Sequence, residues 1–195
     1  MTEQQQKTIG IVLIDGFADW EFGLLAGGAA EHFGAKVVFL SPQGKPVTSI
    51  GGLEARPARG ISPQENKDLD AVALIGSDTW TGDAAPDLAP LLAQVQAKGG
   101  VIGGICAATV TLAKGGFVDG LIHTSNGAEW VKGHAAAYAG AERYQDVPHA
   151  VSDNRVVTAP GTAPISFAAE FLANVYPEMR PMTDGVKVMF SAEHS

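Results

Sequence analysis

Short apolar runs alternate along the chain with longer stretches whose apolar positions recur every three or four residues. Thr8–Ile14, Lys36–Leu40, Ala71–Ile75, Val101–Ile105, Leu121–Ser125 and Arg155–Thr158 read as strands. Helices are predicted over Phe17–Phe33, closed by Gly34, over Ala107–Lys114, Gly127–Ala137 and Ala163–Val175. Another helix is marked by Leu88, Leu91, Leu92 and Val95 at i, i+3, i+4 and i+7, and ends at Gly99-Gly100. Pro46–Arg56 carries two short segments around Gly51-Gly52 and reads as a β-hairpin. Strands that are apolar on both faces, alternating with helices, predict an α/β domain with a mainly parallel central sheet covered on both sides. Ligands in such a sheet bind beyond the carboxyl ends of the strands. That singles out Asp15–Glu21, Gly76–Trp80 and Cys106–Ala108.

A chain of 195 residues fits one domain over 8–195, with residues 1–7 expected as a frayed polar tail. Charge narrows the partners. Lys and Arg number 13 against 21 Asp and Glu, a net −8 with no basic run. Nucleic acid and anionic membrane surfaces both require clustered cations, so neither is expected as a partner. No apolar run is long enough to span a membrane. A single cysteine, Cys106, precludes an intrachain disulfide and suits a cytoplasmic setting. No Gly-x-Gly-x-x-Gly follows the first strand and no Walker motif occurs. His32, His123, His134, His149 and His194 stand at no recognised metal spacing. No cofactor or metal is expected.

Candidate chemistry centres on Gly103-Gly104-Ile105-Cys106-Ala107-Ala108-Thr109. A strand ends there, one residue turns and a helix begins, with small residues two before and two after the apex. This is the layout of a nucleophile elbow carrying sulfur. The start of a helix favours thiolate, so the thiol is expected to titrate below about 7. The Ala107 N–H is a candidate oxyanion donor. Ahead of it, Asp19 reads as an ordinary helix-dipole charge. Glu21, set between Trp20 and Phe22, is a carboxyl that burial would keep protonated and able to donate to a thiolate.

These residues resemble the DJ-1/PfpI superfamily, the class I glutamine-amidotransferase-like proteins. The resemblance runs from Thr8 to about Val175 through Gly16-Phe17-Ala18-Asp19-Trp20-Glu21, Leu74-Ile75-Gly76-Ser77, Gly104-Ile105-Cys106-Ala107 and Thr158-Ala159-Pro160-Gly161-Thr162. It implies a flavodoxin-like three-layer sandwich, Cys106 as the reactive cysteine and Glu21 as the acid hydrogen-bonded to it. It also implies an oxyanion site at the Ser77 and Ala107 N–H groups, and a homodimer, for which Trp20, Phe22 and Trp80 are candidate contacts if they do not line the pocket. Many catalytic members carry a histidine after the strand that follows the elbow helix. Here Asn126 aligns with that position, able to orient a substrate; His123, three residues earlier and on the opposite face of a regular strand, takes that place instead if the register is shifted. The leading expectation is a cysteine-dependent enzyme acting on a small electrophilic substrate as a hydrolase, hydratase or aldehyde-detoxifying protein. The alternatives are an oxidative-stress sensor using the same thiol and a small-molecule binding module.

Overall fold

The structure, a computed structural model, describes residues 6–192. Residues 1–5 of the expected tail, and His194, lie outside the described residues. Gln6 donates from Nε2 to Gly34 O at 2.9 Å, and Lys7 O accepts from Lys36 N.

Six strands form the central sheet: β1 (Thr8–Val12), β2 (Lys36–Leu40), β5 (Ala71–Leu74), β6 (Val101–Ile105), β7 (Val151–Asp153) and β8 (Val156–Ala159). Their order is β2-β1-β5-β6-β8-β7, parallel except for β7 against β8. β3 (Val47–Thr48) and β4 (Glu54–Ala55) make the expected hairpin. Every residue of β1, β5, β6 and β8 is buried, as strands covered on both faces must be.

One face carries α1 (Asp19–Phe33), α5 (Pro164–Val175) and α6 (Arg180–Ser191). Its core joins Ile9, Ile11 and Leu13 to Leu25, Phe167 and Phe171. The opposite face carries α2 (Ala89–Ala97), α3 (Thr109–Lys114) and α4 (Ala128–His134), with Val12, Ile102, Leu92 and Leu112 in its core. Each fully buried Leu, Ile or Phe contributes about 1.5–3 kcal/mol by leaving water, so the two cores hold the helices to the sheet. The result is a three-layer α/β sandwich. Among the described residues, no helix is long and apolar enough to cross a membrane.

One expected strand is absent. Leu121–Ser125 makes only an isolated bridge, His123 to Tyr144. The outer edge of β8, which the segment would need, is taken by β7 (Val151 opposite Thr158). Its backbone groups bond elsewhere: Ile122 N–H donates to Asp153 Oδ2, and Thr124 N–H donates to the Thr158 hydroxyl. The segment therefore runs as a loop, and its residues are free of strand alternation.

Candidate active site

Cys106 sits at the carboxyl end of β6, where Ile105 is still extended and a 3-10 turn over Cys106–Ala108 leads into α3. Its φ is +58°, a left-handed conformation that costs a non-glycine residue about 1–3 kcal/mol. The surroundings enforce it. A Cβ on Gly104 would lie 3.1 Å from Leu112 Cδ1 and 3.2 Å from Ala108 O. Thr109 Oγ1 donates to Cys106 O at 2.7 Å, and so accepts from Ser125 Oγ, 2.5 Å away. That second bond ties the elbow to the loop carrying Asn126.

Glu21 reaches the sulfur from the first turn of α1. Its side chain is 1% exposed, and Oε2 accepts from Gly76 N–H at 2.7 Å. Among the described residues, Oε1 has no hydrogen-bond partner of ordinary geometry. A Cβ built on Gly161 would lie 2.7 Å from Cys106 Sγ and 3.3 Å from Oε1, so that oxygen and the sulfur border the same small space. A Cβ on Gly76 would lie 2.6 Å from both Cys106 Cβ and Glu21 Oε2. Only glycine lets β5 end against this pair.

Burial drives the electrostatics. It pushes the Glu21 carboxyl up to about 7, against the opposing effect of the Gly76 N–H and the thiol. Burial also pushes the Cys106 thiol above its ordinary value, and negative charge on Glu21 adds to the rise. Hydrogen bonds from Asn126 and the Ala107 N–H pull it back without reversing it. This corrects the expectation of a depressed thiol pKa. The helix beyond the elbow has only six α-helical residues, and burial with a neighbouring carboxyl raises the thiol.

The structure brings Asn126 to the sulfur and keeps His123 away. Asn126 Nδ2 lies 3.3 Å from Cys106 Sγ, and its Oδ1 accepts from Gly161 N–H at 3.0 Å. His123 is buried, with Nδ1 against Leu121 O at 2.8 Å and Nε2 against Tyr138 OH at 2.6 Å. A carbonyl only accepts, so Nδ1 carries the proton and Nε2 accepts from the tyrosine. Burial holds this imidazole below its usual pKa. Ser77 and Ala107 are both buried, Ser77 directly after Gly76 and Ala107 directly after the cysteine.

An open cleft of about 550 Å³ lies over the cysteine, lined by Trp20, Cys106, Asn126, Gly161, Thr162 and Pro164. Trp20 is 55% exposed, and its Nε1 donates to Gly161 O at 3.0 Å. Of the other candidate interface aromatics, Trp80 cannot meet a partner. It is fully buried and donates to Ile75 O. Phe22 packs edge-on to Phe17 and Phe39. Sequence reasoning missed the bond from Trp20 to Gly161 and the bracing role of Gly161. A glycine just past an apolar run was the available signal for the latter.

The fold and the elbow define a class: α/β proteins that present a cysteine at the carboxyl edge of a parallel sheet. Within that class the chain belongs to the DJ-1/PfpI family, whose profile matches residues 7–174. It is 30% identical over 175 residues to the Bacillus subtilis protein called "Uncharacterized protease YoaZ", covering 86% of this chain and 83% of that one. It is 32% identical over 163 residues to "Uncharacterized protease YdeA" of the same organism, covering 80% and 77%. Among solved structures, a DJ-1 superfamily protein from Agrobacterium tumefaciens shares 36% identity at TM-score 0.88, over 97% of this chain and 100% of that one.

Proposed function

We propose that the protein is a cysteine-dependent enzyme acting on a small, uncharged electrophilic carbon. The carrying observation is the pairing of Cys106 with a buried, readily protonated Glu21 beneath an open cleft. The thiol proton passes to the Glu21 carboxylate. The sulfur then bonds to the carbon, and the carbonyl electron pair moves to oxygen, for which we assign the Ser77 and Ala107 N–H groups as donors. Among the described residues, no titratable side chain apart from the thiol lines the cleft. A carboxylate or phosphate substrate would find no counter-charge there.

The same lining bears on peptide cleavage, which the names of the two Bacillus relatives suggest. A departing amine needs a proton. Glu21 lies behind the sulfur with Oε2 held by Gly76, and His123 is enclosed by Leu121 and Tyr138. Hydration of, or addition to, an activated carbonyl places fewer demands on such a site. A second reading, oxidation sensing, is favoured by the unpartnered Glu21 Oε1, which when protonated would donate to an oxidised sulfur. We further propose a homodimer working in the cytoplasm.

The test is a screen of small aldehydes, nitriles, esters and amides with wild type, Cys106→Ser and Glu21→Gln. Turnover of an uncharged carbonyl or nitrile, abolished in Cys106→Ser and reduced at least ~100-fold in Glu21→Gln, is expected. Turnover surviving in Cys106→Ser overturns the enzyme reading. Wild type inert to every compound but oxidised at Cys106 by peroxide moves the assignment to the sensor.

A further inference from the structure

Three hydrogen bonds form a continuous chain from the protein surface to the sulfur. The Trp20 indole N–H donates to Gly161 O at 3.0 Å. Gly161 N–H donates to Asn126 Oδ1 at 3.0 Å, and Asn126 Nδ2 donates to Cys106 Sγ at 3.3 Å. The amide orientation follows from chemistry. A backbone N–H can only donate, so the oxygen of Asn126 must face Gly161 and the NH₂ must face the sulfur.

Each link has a structural reason to be specific. Gly161 lies in the short connection between β8 and α5, closed by Ala163 N–H to Pro160 O at 3.0 Å. A Cβ there would stand 2.7 Å from the sulfur, so only glycine brings this backbone over the thiol. Trp20 follows the first residue of α1 and precedes Glu21, so one helical turn delivers both the acid behind the sulfur and the indole in front of it. The core does not require this indole, because it is mostly exposed. Its one polar atom holds the loop.

We propose that Trp20 is a positioning residue for the reactive sulfur: it clamps Gly161, which orients Asn126 so that its amide donates to the thiolate. Asn126 is thereby committed to the sulfur and the loop, and it is not an amide left free to orient substrate. This rests on Cys106 being the reactive group, but its test reads the thiol directly and requires no substrate.

The experiment is the pH dependence of Cys106 alkylation by iodoacetamide, followed by intact-protein mass. The proteins are wild type, Trp20→Phe, Asn126→Ala, Asn126→Asp and the Trp20→Phe/Asn126→Ala double variant. Both side chains are exposed, so the folds should persist, and circular dichroism checks this. Asn126→Ala should move the midpoint up by about one pH unit, the scale of one hydrogen bond to a charged group. Asn126→Asp keeps an acceptor for Gly161 but faces the sulfur with an anion, so its midpoint should rise further. The charge alone would do that, so Asn126→Ala carries the test: a residue that merely braced the loop would leave its midpoint at the wild-type value, and that result would refute the role assigned to Asn126. Trp20→Phe keeps a ring and loses the N–H. Its midpoint should rise by less, and the rise should vanish in the Asn126→Ala background. No shift in Trp20→Phe, or a shift undiminished in the double variant, overturns the positioning role.

Discussion

At the scale of single residues, Glu21 links stability to chemistry. Its carboxyl titrates at about 7 when folded and near 4.5 as an unperturbed side chain. The folded protein therefore holds this proton more tightly than the unfolded chain. The resulting stabilisation is fully present below about 4.5 and is lost as pH rises through about 7. A difference of roughly 2.5 units corresponds to about 3 kcal/mol. Glu21→Gln keeps an acceptor for Gly76 N–H without the charge. Thermal melts at pH 5 and pH 8 should show wild type losing stability at the higher pH and the variant losing much less. Equal pH slopes would mean that Glu21 is not desolvated as the structure indicates.

At the scale of elements, the terminal helix α6 depends on one carboxylate. Glu170 on α5 is buried and receives Arg180, at 3.2 Å, and Lys187 from α6. Around these pairs, Thr183 is buried, and Val186 and Phe190 border an apolar space against Leu24 and Leu172. Glu170→Ala leaves two cations able to hydrate, so global stability should fall by only about 1 kcal/mol. Exchange protection over 180–191 should fall far more, because α6 loses its polar anchor. Hydrogen exchange read by mass spectrometry separates the two, and unchanged protection in α6 would contradict the anchoring role. The hairpin shows a comparable tether. Asp19, expected as a helix-dipole charge, accepts from Ser49 Oγ at 2.6 Å and Gly51 N–H at 2.8 Å. Those bonds hold its carboxyl below the usual range and fasten the hairpin to α1.

At the scale of the whole molecule, the proposed homodimer makes its own demand. Ile50 and Leu53 at the hairpin tip are 63% and 51% exposed, and closed two-fold pairs commonly bury such residues. Sedimentation at high micromolar concentration should give twice 20.2 kDa. Ile50→Lys/Leu53→Lys should sediment as a monomer with an unchanged circular dichroism spectrum. A monomeric wild type would remove the dimer.

The sheet, the order of its helices and the cysteine elbow were legible in the sequence because each is encoded locally. A strand declares itself by a run of apolar residues, and the elbow by small residues within two positions of Cys106. Glu21 was legible as a candidate because its aromatic neighbours announced an apolar setting. Helix α6 was not, because Pro181 and Gly185 weaken its local signal and the groups that hold it, Glu170, Leu24 and Leu172, lie on other elements. The Leu121–Ser125 run looked like a strand by the same local rule and failed, since β7 holds the edge of β8 beside it. Asn126 was named at the sulfur from the sequence, but its bonds to Cys106 and Gly161 appear only in the folded chain. The closing of the site is likewise tertiary, since Trp20 and Gly161 meet across 141 positions of sequence. Local periodicity determines which residues face a core. Which side chains meet over a nucleophile depends on how distant elements compete for the same edges and spaces, and only the folded chain resolves that competition.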